Sequence, residues 1–143
     1  MVPVFNQVHL TERCLGSLLD NSILARELVV IDNKSNDSTP AFLKGFQKQT
    51  ADKGWSMKVL ANTENVGFGR ACNQGIRAAT GEYIAILNND TWLMQGWDAA
   101  LLRRINELGA DMVGPYYDEG VFDAEATPVK AGEFVARNRN KFS

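Results

Sequence analysis

Cysteine and histidine are scarce in this chain: Cys14 and Cys72 are the only thiols, and His9 is the only imidazole, among 143 residues. Far apart and without metal-ligand spacing, the thiols read as buried and free rather than as a disulfide or a zinc site. His9 has no partner motif and is expected on the surface. An excess of charge is lacking too, since 15 Lys and Arg stand against 17 Asp and Glu, a net charge of -2. That balance gives no general attraction to nucleic acid or to anionic lipid. No apolar run approaches the roughly 18 residues of a membrane span, and no basic segment followed by an apolar one opens the chain. Neither a transmembrane segment nor a signal peptide is therefore expected, and the default compartment is the cytoplasm.

What is present is the make-up of a globular protein, with 45% apolar and 22% charged residues. The length suits one hydrophobic core better than two. Val2 to Phe5 is an apolar stub that reads as the end of a strand. Leu10, Cys14, Leu15, Leu18 and Leu19 then recur at helical spacing, with Thr11 placed to cap the helix. Leu28 to Ile31 is a short apolar, partly β-branched run, the pattern of a strand buried on both faces. After the polar loop "DNKSND", Ser38 or Thr39 caps a helix with Pro40 at its first position and Phe42, Leu43 and Phe46 on its apolar stripe.

Met57 to Leu60 reads as the next strand, followed by a helix from Gly69 that turns Cys72, Ile76 and Ala79 inward and ends near Gly81. Tyr83 to Leu87 is a further strand. Trp97, Leu101, Leu102, Ile105 and Leu108 mark a helix ending at Gly109, and Met112 with Val113 suggests one more short strand. Beyond Gly114 the pattern fades into a segment with Pro115, Pro128 and a basic end, expected to be solvated or frayed.

Strands alternating with helices at this spacing predict an α/β sandwich with a mostly parallel sheet. Ligands of such sheets collect at the carboxyl ends of the strands. The polar clusters at Asn6, Asp32 to Asp37 and Asn88 to Asp90 each follow an apolar strand, so all should share that edge. The third cluster is the run "AILNNDT", in which a buried strand leads straight into two amides and one acid.

The series "VPVFN", "VVIDNKSNDST", "NTENVGFGRACNQGI", "ATGEYIAILNNDT" and "GW" resembles, in order and spacing, the nucleotide-sugar-binding half of inverting family 2 glycosyltransferases. The resemblance covers about residues 2 to 115 and implies the Rossmann-like GT-A sandwich. It divides the chain into a donor-binding core, 1–115, and an extension, 116–143, the remnant or start of an acceptor-binding region. The implied donor is a nucleoside diphosphate sugar, and the acceptor is a glycan, a lipid-linked molecule or a protein. Through such an acceptor the chain would reach the inner face of the membrane.

The resemblance also implies roles. Asn88, Asn89 and Asp90 fall on the family's "DXD" motif, so Asp90 would hold Mn2+ or Mg2+ and Asn89 would contact the ribose. Such ions take one or two protein carboxylates, with phosphate oxygens and water filling the remaining positions. Asn88 departs from the acidic form, and a simple Asx turn is the competing reading of "NND". Asp32 corresponds to an acid that accepts a hydrogen bond from a pyrimidine base, unless it serves only the turn of its loop. Pro3 and Phe5 match positions lining the base pocket, or ordinary core.

Gly67 and Gly69 would let backbone approach the ligand at a helix N-terminus. Arg70 either reaches the diphosphate or covers the helix surface, and Asn73 either contacts ligand or serves structure. Trp92 suits sugar stacking, whereas Trp97 fits the core stripe. No catalytic base is identified: Asp98, Glu107, Asp111, Asp118, Glu119, Asp123, Glu125 and Glu133 all lack a recognisable setting. A sugar-nucleotide-binding module without transferase activity is thus the alternative function. Nucleotidyl transfer is a weaker one, because "VPVFNQVHLTER" has no basic Gly-rich loop.

Overall fold

The structure, a computed structural model, describes residues 1–114 and the backbone of 134–137. Its elements run β1 (Val2–Val4), α1 (Val8–Asn21), β2 (Glu27–Asp32), α2 (Thr39–Asp52), β3 (Ser56–Ala61), α3 (Phe68–Ala78), β4 (Tyr83–Ile86), α4 (Trp97–Leu108), β5 (Met112–Val113) and β6 (Phe134–Arg137). Strands β1, β2 and β3 form a parallel ladder in that order. A second ladder has β6 between β4 and β5, antiparallel to both.

The two ladders meet at the first residue. The Met1 ammonium donates to the Ala85 carbonyl at 2.6 Å, and Leu87 N–H donates to the Met1 carbonyl at 3.0 Å. This is the bond pair of a parallel bridge, so β4 runs alongside β1. The sheet is therefore parallel through its β3, β2, β1 and β4 half and antiparallel around β6.

Strand β2 shows why its sequence is apolar without alternation. Leu28 and Val30 pack into a core with Cys14, Leu15, Leu18, Leu43 and Phe46 of α1 and α2. Val29 and Ile31 point the other way, into a core with Met1, Ala71, Cys72 and Ile84. Helices cover both faces, and alternating side chains feed two cores. Both cysteines are buried and outside any disulfide, as their sequence setting suggested.

Several local expectations are corrected. Thr11 does not cap α1: that helix starts at Val8, and Thr11 is buried inside it, where its hydroxyl accepts from Asn89. Leu108 is 61% exposed, so the inward stripe of α4 ends at Ile105. The faded segment holds a strand, β6, which pairs along all of β4. Pro40 does sit in the first turn of α2, and Asp37 Oδ1, rather than Ser38, accepts the Thr39 N–H at 2.9 Å.

Helix α3 lies against the sheet through Gly75, where a Cβ would come within 2.7 Å of Ile31 Cδ1 and collide with the Met1 side chain. Methionine can swing away, but Ile31 belongs to the central strand. Gly75→Ala should therefore destabilise the protein by about 1 to 3 kcal/mol, the usual cost of overpacking. An unchanged thermal midpoint would show that α3 does not pack in this way.

Candidate donor-binding site

The carboxyl edge of the parallel strands is held together by polar side chains standing in for strand pairing that has run out. At the end of β1, Asn6 and Gln7 both adopt left-handed backbone, with φ of 54° and 57°. Such residues are disfavoured by about 1 to 2 kcal/mol each unless their surroundings hold them. Here the loop after β2 holds them. Asn6 N–H donates to Ser35 Oγ at 2.8 Å, Asn36 N–H donates to Asn6 Oδ1 at 2.8 Å, and Val8 N–H donates to Asp37 Oδ2 at 3.1 Å. Lys34, φ 68°, is left-handed in the same loop.

Asp32 closes β2 and is buried, with its Oδ1 accepting the Ser35 N–H at 2.9 Å. The turn expected of "DNKS" therefore forms, and it uses one carboxylate oxygen. Its neighbour Asn33 escaped the sequence reading although it is the hub of the edge. It is buried, its amide nitrogen donates to Asn65 Oδ1 at 2.8 Å, and its oxygen accepts from Asn62 Nδ2 and from Val66 N–H. Asn65 Oδ1 accepts in turn from Gly67 N–H at 3.0 Å. A chain of amides thus runs from the end of β2 to the start of α3. The clue in the sequence was the recurrence of Asn at 33, 62 and 65, each just past a strand.

Gly67 has φ 81° and leads into α3, and a Cβ at Gly67 or Gly69 would meet nothing within 4 Å. That open space over a helix N-terminus is what a phosphate needs. Arg70 is exposed on the first turn of α3, and among the described residues it makes no ion pair. Asn73 is exposed one turn on. Pro3 is buried within β1, paired in register with Ile31, while Phe5 is 46% exposed just past the strand.

After β4 the chain makes the turn expected of "NND", with Thr91 N–H donating to the Asn88 carbonyl at 3.2 Å. Helix α1 grips this turn. Cys14 Sγ donates to the Asn88 carbonyl at 3.4 Å, and Asn89 Nδ2 donates to Thr11 Oγ1 at 3.2 Å, which leaves the Asn89 carbonyl oxygen as its acceptor. Leu93, 1% exposed, anchors the segment beyond. Between these fixed points the Asp90 carboxylate is exposed and makes no bond to a described residue. Trp92 stands outside, 53% exposed, with the Arg13 guanidinium 5.0 Å from its ring centre.

No group of three or more His, Cys, Asp or Glu among the described residues could cage a metal ion. The donor set instead fits an ion that arrives with its ligand: one oxygen-bearing carboxylate, Asp90, on a turn pinned from behind. Two of the other acids are engaged elsewhere. Glu107 pairs with Arg103 and Arg104 on the surface of α4. Glu27, at the opposite edge, binds Lys58 and Thr80. Asp118, Glu119, Asp123, Glu125 and Glu133 lie outside the described residues.

The fold is that of the GT-A glycosyltransferases. A mannosyltransferase, PcManGT from Pyrobaculum calidifontis, solved with GDP-Man and Mn2+, superimposes with a TM-score of 0.76 at 26% identity, over 96% of this chain and 43% of that one. TarS of S. aureus, solved with UDP, gives 0.66 at 22% identity over 78% of this chain and 32% of that one. The family profile of glycosyl transferase family 2 matches residues 1–137, and the chain belongs to that family. Glycosyltransferase GlyA of Streptococcus pneumoniae is 30% identical over 128 residues, 85% of this chain but only 18% of its own length. Across that relative and GlyG of the same organism, the chain spans between 18% and 38% of the relative's length. No helix among the described residues is long and apolar enough to cross a membrane.

Asp98, one of the acids without a sequence context, is structural. Buried at the start of α4, it accepts backbone N–H bonds from Ile23, Leu24 and Ala25 between 2.7 and 3.0 Å. Burial pushes its carboxyl up, and the N–H groups of Ala25, Ile23, Leu24 and Ala99 together outweigh that, holding it below the usual carboxylate range. A depressed carboxyl contributes stability that is present above its unfolded pKa of about 3.9 and is lost as pH falls through the folded value. Asp98→Asn should thus destabilise by about 1 to 3 kcal/mol at neutral pH. The difference from the parent should shrink toward zero in acid, as followed by urea melts. A pH-independent difference would contradict the assignment.

Proposed function

We propose that this chain is the donor-binding core of a metal-assisted inverting glycosyltransferase, which passes a sugar from a nucleoside diphosphate sugar to an acceptor hydroxyl. The observation that carries the reading is Asp90: a free carboxylate on a turn held rigid from α1, on the same sheet edge as the open N-terminus of α3. GDP-Man and Mn2+ in the PcManGT complex, and UDP in the TarS complex, support a ligand of the same chemistry here.

In this reading Asp32 offers its second oxygen to a base N–H, with Pro3 and Phe5 forming the wall beside it. Asn89 turns its carbonyl oxygen to a ribose hydroxyl. Gly67 and the N-terminus of α3 receive the diphosphate, and Arg70 adds positive charge. Asp90 would hold Mn2+ or Mg2+, which when bound neutralises charge on the departing diphosphate. Residues 1–115 are the donor core, and 116–143 open the acceptor side. The reaction is cytoplasmic, with a lipid-linked, glycan or protein acceptor able to hold the chain at the inner face of the membrane.

Transfer also requires a base to deprotonate the acceptor, and donor binding alone does not speed it. Asp98, Glu107 and Glu27 are spent on structure and no base is assigned among the described residues, so donor binding with slow turnover is the outcome this reading expects of these 143 residues. A module that only binds nucleotide sugar is the second reading, and rapid transfer to a defined acceptor would dismiss it.

Asp90→Asn should keep the parent's thermal melt while removing most of the gain in UDP affinity on adding Mn2+. Equal affinity of the parent in Mn2+ and in EDTA, by calorimetry, would sink the metal role. Asp32→Asn retains an acceptor for Ser35 N–H but loses the charge, so it should weaken UDP binding by about 1 to 3 kcal/mol. Pyrophosphate binding should barely change. An equal loss for both ligands would point to a collapsed loop.

A further inference from the structure

Past the end of β4, burial alternates residue by residue. Asp90, Trp92 and Met94 are exposed, whereas Thr91 and Leu93 between them are buried. A period of two marks an extended segment with one face turned outward. Asp90 and Trp92 share that face, and at about 3.3 Å per residue they stand roughly 7 Å apart along it. Helix α1 fastens the segment from behind: Leu93 N–H donates to Ser17 Oγ at 3.1 Å, and Asn21 Nδ2 donates to the Leu93 carbonyl at 2.8 Å. The outward side chains therefore rest on a fixed base.

Arg13 reaches the same place from α1, one residue before the Cys14 that grips the Asn88 carbonyl. Its guanidinium lies over the Trp92 ring, 5.0 Å from the centre. It is exposed, and among the described residues no carboxylate pairs with it and no hydrogen bond engages it. Its planar fork of donors, which suits the two oxygens of a carboxylate or phosphate, is thus open to a ligand. Trp92 still leaves about half its surface to solvent, a broad rigid face of the kind that packs on the C–H side of a sugar ring. Aromatic face and unanswered cation sit together beside the exposed carboxylate of Asp90.

We propose that Trp92 and Arg13 form an acceptor subsite for a sugar unit that carries an acid group, a phosphate or a carboxylate, with the ring on Trp92 and the acid on the Arg13 fork. The proposal rests on the donor-binding reading, in which the diphosphate lies at the N-terminus of α3. Helix α3 packs on the face of the sheet lined by Val29 and Ile31, and α1 on the face lined by Leu28 and Val30. Inversion requires the attacking hydroxyl to approach the sugar from the side opposite the leaving group. With the leaving group on the α3 side, that approach is from the α1 side, where Arg13 and Trp92 stand. The acid group then selects among acceptors that share the same sugar hydroxyls.

The test uses the whole chain saturated with UDP and Mn2+, and as probes glucose 6-phosphate, glucuronate and glucose, followed by calorimetry and tryptophan fluorescence. The two acids should bind at least tenfold more tightly than glucose. Arg13→Gln should erase that preference, and Trp92→Ala should weaken all three sugars, while both variants keep the parent's circular dichroism and UDP affinity. Equal binding of acidic and neutral sugars, displacement of the acids by UDP, unchanged binding in both variants, or no binding of either acid at tens of millimolar would each overturn the proposal while leaving the donor site standing. Failure of the parent to bind UDP in Mn2+ is the separate result that overturns the donor reading, and the acceptor subsite falls with it.

Discussion

Burying β2 on both faces imposes the constraint from which the rest of the site follows. A strand sealed between two cores cannot reach water along its length, so every backbone group at its end needs a partner within the protein. Asn33 meets that need toward β1 through its own N–H, and toward the loop after β3 through its carboxamide. The polar residues past each strand are consequently structural before they are chemical. Those that remain free once the backbone is satisfied are the ones able to meet a ligand.

That division explains how the run "AILNNDT" carries two meanings at once. The turn from Asn88 to Thr91 is an ordinary loop device, and α1 fixes it through Cys14 and Thr11. Because neighbouring groups are used up in that way, the Asp90 carboxylate is left pointing outward with nothing to neutralise it among the described residues. A turn and an exposed carboxylate are not rivals here, since one presents the other.

Much of the fold was legible because burial on two faces writes an unbroken apolar run, as at Leu28 to Ile31, and because Pro40 marks a helix start. Legibility failed where the deciding partner was distant in sequence. Thr11 looks like a cap until Asn89 is seen to need its hydroxyl. Strand β6 has no period of its own to show, and its place is given by β4 and β5 on either side. Asn33 looked like one more loop amide, because its partners at 62, 65 and 66 come together only when β2 and β3 pair. At the carboxyl edge, motif order directs attention to the polar clusters, while the hydrogen bonds show which groups there are already committed.

The left-handed backbone at Asn6, Gln7 and Lys34 has an evolutionary consequence. Glycine would relieve conformational strain at each position, so drift toward a more stable chain should favour it there. Yet glycine also widens the range of shapes a loop can sample, and any ligand that must then freeze those loops binds more weakly. Retaining side chains at these positions keeps the edge preorganised, with folding stability given up so that less order has to be created when ligand arrives.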